Sequence, residues 1–271
     1  MSSHTAYWIA AARARESARP DRLFDDPYAE ALAGERGRLI LERSEQASGQ
    51  ENAFLPVRTR YFDDVLLEWA MRSAPAQVVL LGAGLDTRAF RLPLPAGTRV
   101  YEVDQADVLD HKDATLAGLG AAPICRRDVV RADLSEPWDE RLLAVGFDRL
   151  APTIWLAEGL FFYLSAHAVG ELLRQTAELS APGSVFAADI FGTGLLSLPG
   201  MTESMRLRAE QGLPPPFCTD RPTDLFTAAG WQPPMLVSPG MPPAGYGRFA
   251  RNDAAARANP TMRTYLATAD L

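Results

Sequence analysis

Gln77-Val-Val-Leu-Leu-Gly-Ala-Gly-Leu-Asp-Thr-Arg88 and, a little further on, Tyr101-Glu-Val-Asp104 decide the fold of this chain. The apolar residues Val78 to Leu81 run straight into Gly82 and Gly84. Such a run, unbroken by polar residues and ended by glycine, predicts a buried parallel strand that breaks into a tight turn. A second β-branched run closes on an acidic residue, Asp104. The glycines let a ligand approach the backbone, and a carboxylate at the tip of the second strand can hold ribose hydroxyls. Together they predict a mononucleotide-type fold that binds an adenosine-containing cofactor.

Outward from this stretch, the two sides differ. Residues 1 to about 74 read as helical. Ala6 to Ala18 is rich in helix formers and is stopped by Pro20. Asp25-Asp26-Pro27 predicts the next helix start, a carboxylate cap with proline in the first turn. Pro56 to Met71 predicts another helix, with Val57, Tyr61, Val65 and Leu66 on one stripe, and Pro75 closes the region. After it, strands are expected at Val78–Leu81, Arg99–Val103, Asp128–Ala132, Thr153–Ala157 and Ser184–Ile190. Helices are expected at Gln105–Leu116 and Ala166–Leu179. That alternation implies a mostly parallel sheet covered on both faces. Beyond Ile190 the rhythm breaks. Residues 192 to 216 read as a long insertion carrying a short helix, Thr202–Gln211, of the kind that serves as a lid. A last helix is expected from Thr223, as its cap, to Gly230. Met235–Ser238 and Thr261–Thr268 are expected to pair as an antiparallel sheet edge.

A chain of 271 residues, 47% hydrophobic, suits one α/β domain with additions. Its net charge of −7 argues against a nucleic-acid partner. Lys112 is the sole lysine. Cys125 and Cys218 stand far apart without metal-ligand spacing, which fits a reduced, cytoplasmic setting. The start of the chain lacks the pattern of a signal peptide, and no apolar run reaches membrane-spanning length. The expected partner is a soluble small molecule or peptide, with no membrane and no nucleic acid; the oligomeric state is left open.

A nicotinamide-binding turn would carry a third glycine where this chain has Thr87. That glycine serves close helix packing beside a pyrophosphate. A cofactor without pyrophosphate does not need it, and S-adenosylmethionine (SAM) fits. The chain resembles the leucine carboxyl methyltransferase family of class I SAM-dependent methyltransferases, in particular its bacterial O-methyltransferase branch. The resemblance rests on six blocks: Thr5-Ala-Tyr-Trp-Ile-Ala-Ala-Ala-Arg-Ala-Arg-Glu-Ser; Leu23-Phe-Asp-Asp-Pro-Tyr28; Val57-Arg-Thr-Arg-Tyr-Phe-Asp-Asp64; Leu81-Gly-Ala-Gly-Leu-Asp-Thr-Arg-Ala-Phe-Arg91; Tyr101-Glu-Val-Asp104; and Glu158-Gly-Leu-Phe-Phe-Tyr-Leu164. It covers roughly residues 5 to 190 and implies a Rossmann-like fold. That fold has a seven-stranded, mostly parallel sheet with an antiparallel edge strand. An N-terminal helical cap (1–74) would precede a SAM-binding core (75–271) that carries the lid.

The resemblance also implies roles. Gly82 and Gly84 would line the methionine end of SAM, and Asp104 would hold the ribose. Asp133 and Leu134 would flank the adenine; the lesser alternative is that Asp133 caps the Ser135–Trp138 segment. Arg58 would sit beside the cofactor carboxylate and the substrate, where a guanidinium fork suits a carboxylate. The other reading is an ordinary surface ion pair. Arg60, two residues on, would face elsewhere. Glu158 would approach the positive end of the cofactor. Tyr163 would orient the acceptor, unless Phe161, Phe162 and Tyr163 only form an aromatic wall. None of His4, His111 and His167 is assigned catalysis, although His4 could reach the site if the N-terminal segment folds over it, and no cluster of Asp, Asn and His has the spacing of a metal-dependent catechol methyltransferase.

Without a base, a carboxylate acceptor is favoured, since it is already ionised at neutral pH, whereas a phenol is not. The reading is therefore an O-methyltransferase of a natural-product carboxylate, yielding S-adenosylhomocysteine (SAH). Its alternatives are a polyketide phenol methyltransferase and a SAM-binding cyclase that transfers no methyl. A nicotinamide oxidoreductase is disfavoured by Thr87 and by the lack of a Tyr-x-x-x-Lys dyad.

Overall fold

The computed structural model describes residues 4–49, 51–73, 76–198, 201, 205–206, 215–248 and 259–271. Three helices, α1 (His4–Ser17), α2 (Ala29–Ser48) and α3 (Phe54–Arg72), precede the first strand. Then come β1 (Gln77–Leu81), α4 (Arg88–Arg91), β2 (Arg99–Asp104), α5 (Ala106–Gly118), β3 (Arg126–Arg131), α6 (Asp139–Ala144) and β4 (Thr153–Ala157). They are followed by α7 (Ala166–Glu178), β5 (Val185–Phe191), α8 (Pro222–Ala228), β6 (Met235–Val237) and β7 (Thr264–Asp270). The strands form one seven-stranded sheet in the order β3-β2-β1-β4-β5-β7-β6. β1 to β5 pair in parallel, while β7 runs antiparallel to both β5 and β6. The mostly parallel sheet with an antiparallel edge is therefore as expected. Because the order turns back between β1 and β4, the carboxyl ends of these strands open a crevice at the switch point.

The sheet is apolar on both faces, and the period of two along each strand sorts its side chains. Val78, Leu80, Val100, Ile154, Leu156 and Leu266 pack in one core with Ala10, Leu32, Phe62, Leu66 and Trp69 of α1 to α3. Val79, Leu81, Tyr101, Trp155, Phe186 and Ala267 pack in the other, with Leu142, Leu172, Leu173 and Phe226 of α6 to α8. The N-terminal helices thus share a core with the sheet and cover the face nearest the crevice.

Several local expectations need correction. The helix expected from Asp25-Asp26-Pro27 begins later, with Tyr28 as its N-cap residue. Asp26 Oδ2 accepts from Arg13 Nε (2.8 Å) and the Thr87 hydroxyl (2.7 Å), while its Oδ1 accepts from the Tyr28 N–H (3.2 Å), so the carboxylate serves a buried ion pair and the helix entry together. α8 is entered from Arg221 without a side-chain cap, so Thr223 does not play that part. Strand β3 starts two residues before the expected Asp128. α4, α6 and the 3-10 turn Phe161–Tyr163 are too short to show a periodic signal. In the expected insertion, Thr193–Ser197 forms a 3-10 turn. Most of the Thr202–Gln211 helix, together with Pro75 and Pro214, lies outside the described residues.

Candidate active site

The crevice at the switch point is a cleft of about 750 Å³, part of it open to solvent. The ends of β1, β2 and β4 form its floor, through Leu80–Leu85, Asp104, Leu156, Glu158 and Gly159. α1 covers it with Thr5, Ala6, Ile9 and Arg13, and α3 contributes Arg58 and Thr59. Asp86, Arg88 and Tyr163 complete its polar lining. Among the expected site residues, Arg58, Gly82, Gly84, Asp104, Glu158 and Tyr163 are brought together here.

At one end of the cleft the glycine turn closes on the acid of the next strand. Gly84 takes φ +49°, a left-handed conformation that disfavours any side chain. A Cβ at this position would also touch the Cβ of Ala6 at 3.5 Å, so the turn and the covering helix fit closely. The Gly84 N–H donates to Asp104 Oδ2 at 2.6 Å and the Gln105 N–H to Oδ1 at 2.7 Å. Burial nevertheless pushes the Asp104 carboxyl above its usual range, with these two bonds acting against that trend. A buried carboxylate of this kind gains from further donors, which is what a ribose diol provides.

At the other end, charges from five separate elements converge. Arg58, 3% exposed, donates from Nε to Glu158 Oε1 (3.0 Å) and from Nη1 to Asp189 Oδ2 (3.0 Å). The second Glu158 oxygen faces Arg88 Nη2 at 2.7 Å. Arg88 also donates to Asp63 Oδ1 (2.7 Å) and pairs with Asp86, and Arg91 bonds both Asp63 oxygens. Gly159 makes this possible. Its φ is +67°, and a Cβ there would press on the Arg58 guanidinium at 3.0 Å. The surface ion-pair reading of Arg58 is thereby excluded. Burial raises the carboxyl of Asp86, but Arg88, Lys112, Arg91 and Arg13 outweigh it and bring it to about 2. For Glu158 too, burial is outweighed by Arg88 and Arg58, and its carboxyl lies below the usual range. Both are therefore carboxylates at neutral pH.

Asp133 and Leu134 are not among the lining residues of the cleft. Asp133 accepts from the Ser135 N–H (2.9 Å), the Ser135 hydroxyl (2.6 Å) and Gln105 Nε2 (2.8 Å). It thus closes the Ser135 turn, the capping alternative, while its bond to Gln105 ties that turn to the residue after Asp104. Leu134 packs on the core beneath α6 and α7. Arg60 turns away, pairing with Asp64 and donating to the Leu23 carbonyl. His111 lies against the Tyr7 ring and His167 is exposed at the start of α7. Among the described residues no group of His, Cys, Asp and Glu could hold a metal. Burial pushes both thiols, Cys125 and Cys218, up to about 11, so neither is a ready nucleophile.

Sequence reasoning missed Asp63, Asp86, Arg88 and Asp189. A signal was available for Asp189, a carboxylate inside the otherwise apolar run Val185-Phe-Ala-Ala-Asp-Ile-Phe191 and 1% exposed. A charge in a fully buried strand implies a partner, although the strand alone does not say which.

Residues 6–177 match the leucine carboxyl methyltransferase family. The chain belongs to that family. A candidate SAM-dependent methyltransferase of Parafrankia sp. (strain EAN1pec) is 48% identical over 192 residues, 68% of this chain and 62% of that protein. A second, from Saccharopolyspora erythraea, is 45% identical over 201 residues, 68% of this chain and 66% of its own length. The chain thus spans somewhat less than two-thirds of these family relatives. Among solved structures, a "duf574 family protein" from Streptomyces avermitilis superposes with a TM-score of 0.59 at 19% identity, covering 94% of this chain and 98% of that one. A candidate methyltransferase from Thermobifida fusca gives 0.58 at 19% identity, covering 93% and 94%. These likenesses, with the strand order, show the class I methyltransferase fold.

Proposed function

We propose that this leucine carboxyl methyltransferase family member binds SAM in the cleft and methylates an oxygen, in the first place the carboxylate of a small-molecule or peptide natural product. The observation that carries the reading is the chemistry of the lining. Three arginines (Arg13, Arg58, Arg88) and three carboxylates (Asp86, Asp104, Glu158) face one cleft beside a glycine turn. A ligand with a carboxylate, an ammonium, a sulfonium and a ribose diol needs both signs of charge and close backbone approach. Asp104 would accept from the diol. Gly82 and Gly84 would run along the methionine chain. Arg58 would offer its remaining Nη2 edge to the cofactor carboxylate, and Glu158 and Asp86 would face the positive groups. The names of the family relatives support the same cofactor. A dehydrogenase reading loses further ground, because Lys112 is wholly buried against Glu102 at 2.7 Å and is not available to a catalytic dyad.

When bound, SAM supplies a methyl group on a cationic sulfur for in-line attack by the acceptor oxygen. The protein's part is to position and to keep water out. α1 lies over the glycine turn, and the ion cluster holds Glu158 from both oxygens. A carboxylate acceptor needs orientation only, a part that would fall to Tyr163, which lines the cleft. A second reading, a phenolic acceptor, is favoured by one observation. Phe54, Phe191, Phe162 and Tyr163 form a chain of edge-on rings, 5.5 to 5.8 Å apart, beside Arg58. The reduced cysteines support a cytoplasmic setting, and no described helix is long and apolar enough to cross a membrane.

Calorimetric titration with SAM, SAH and NAD in parallel tests the cofactor. Binding of the first two and silence with NAD is expected, and binding of NAD alone would overturn the reading. Labelled methyl transfer to a panel of acids and phenols then separates the acceptors. Esters release methanol in mild base and aryl ethers do not, so labelled methanol is the expected result. Tyr163→Phe should leave SAM affinity unchanged and slow transfer by about tenfold or more.

A further inference from the structure

Around Glu158 the buried charges do not cancel. Among the described residues joined by these ion pairs, Arg58, Arg88 and Arg91 face Asp63, Asp86, Glu158 and Asp189, three guanidinium groups against four carboxylates. Adding the neighbouring pair of Arg13 and Asp26 leaves the excess unchanged. Asp189 is 1% exposed and absent from the cleft lining. It receives the Arg58 Nη1 at 3.0 Å and, from the other oxygen, the Gly159 N–H at 2.6 Å. A single excess negative charge among side chains this buried is costly unless a cation meets it.

We propose that Asp189 is a positioning residue that supplies this excess charge, so that the cluster is built as the counter-charge of a sulfonium. With the Asp189 carboxylate on Arg58 Nη1, Arg58 is spoken for, and Glu158 and Asp86 present net negative charge to the cleft. Without it, Arg58 neutralises Glu158 and the charge offered to the cofactor disappears. The inference rests on SAM being the ligand of this cleft. It adds that the site reads the charge on sulfur through a residue the cofactor never touches.

Asp189→Asn tests it, because the amide oxygen can still accept from Gly159 while the charge is gone. Affinities for SAM and for SAH, which is neutral at sulfur, are measured by calorimetry alongside a thermal melt. The expected result is a loss of about tenfold or more for SAM and less than about threefold for SAH. An equal loss for both ligands would overturn the proposal and leave Asp189 a purely structural residue. Should the variant fail to fold, the unaltered protein supplies the second measurement. Raising ionic strength should weaken SAM binding more steeply than SAH binding, and parallel slopes would overturn the proposal. Failure of the unaltered protein to bind either ligand would instead strike the cofactor reading, a distinct result.

Discussion

The two ends of the cleft hold charge in opposite ways. At the glycine end, one carboxylate, Asp104, is satisfied by two backbone N–H groups from its own and the preceding strand–turn unit. At the Glu158 end, side chains from α3, α4, β5 and the turns after β1 and β4 form an ion cluster. The first needs only a strand, a turn and the next strand to be in register. The second exists only when the whole sheet and the N-terminal helices have assembled. The lesson is that ligand geometry can be local while its electrostatics are global. Burial raises the Asp104 carboxyl, whereas arginines lower those of Asp86 and Glu158 despite burial.

Breaking the global end should have the larger effect. Arg58→Ala leaves Glu158 and Asp189 buried with one partner fewer, and the expected loss is about 3–5 kcal/mol of folding stability. Denaturant unfolding measures it; a loss below about 1 kcal/mol would erase the distinction between the two ends. Arg58→Lys should recover only part, since an ammonium cannot fork between two carboxylates. The local end should behave differently. Asp104→Asn should weaken both SAM and SAH by about 2–3 kcal/mol, each charged hydrogen bond to the diol contributing. Its effect on stability should be a loss of about 1–3 kcal/mol, because the amide oxygen can accept from only one of the two backbone N–H groups. The folded carboxyl lies above its unfolded value, so ionising Asp104 costs stability as pH rises through that folded value, and a neutral amide avoids that cost. Parallel melts and titrations at neutral pH would show it.

Acid sharpens the same contrast. The Asp86 carboxyl, about 2 when folded against 3.8 as a reference, contributes stability that is complete above about pH 4 and is lost as pH falls toward 2. That group alone accounts for about 2 kcal/mol, and Glu158 acts in the same direction. Melts from pH 5 to 2 should therefore fall steeply, and Asp86→Asn should flatten the fall. The smallest effect is expected at the turn. Gly84→Ala should cost about 1–2 kcal/mol through its left-handed conformation. Its contact with Ala6 is of ordinary length, so α1 need not move. Hydrogen exchange in α1 checks this.

The same division explains what could be read in advance. Gly82, Gly84 and Asp104 lie in one strand–turn–strand unit, so their spacing carries the geometry. Arg58, Glu158 and Tyr163 were reachable through the family blocks, not through any local pattern. Asp133 illustrates the limit, because its match to the family and its capping role look identical in one dimension. The structure shows the carboxylate held by Ser135 and Gln105. Asp26 shows the same limit, since its bond to the Tyr28 N–H lies within a local turn, whereas its pairing with Arg13 exists only because α1 packs against it.

The sequence by itself determined the alternation of strands and helices, the apolar strands that must be covered on both faces, and the glycine turn with its acid. These follow from periodicity and backbone sterics, which act over a few residues. The tertiary structure alone decided that Arg58, Arg88, Asp63, Glu158 and Asp189 form one buried cluster with unequal charge. Coulomb interaction depends on distance and burial, and neither is a property of position along the chain.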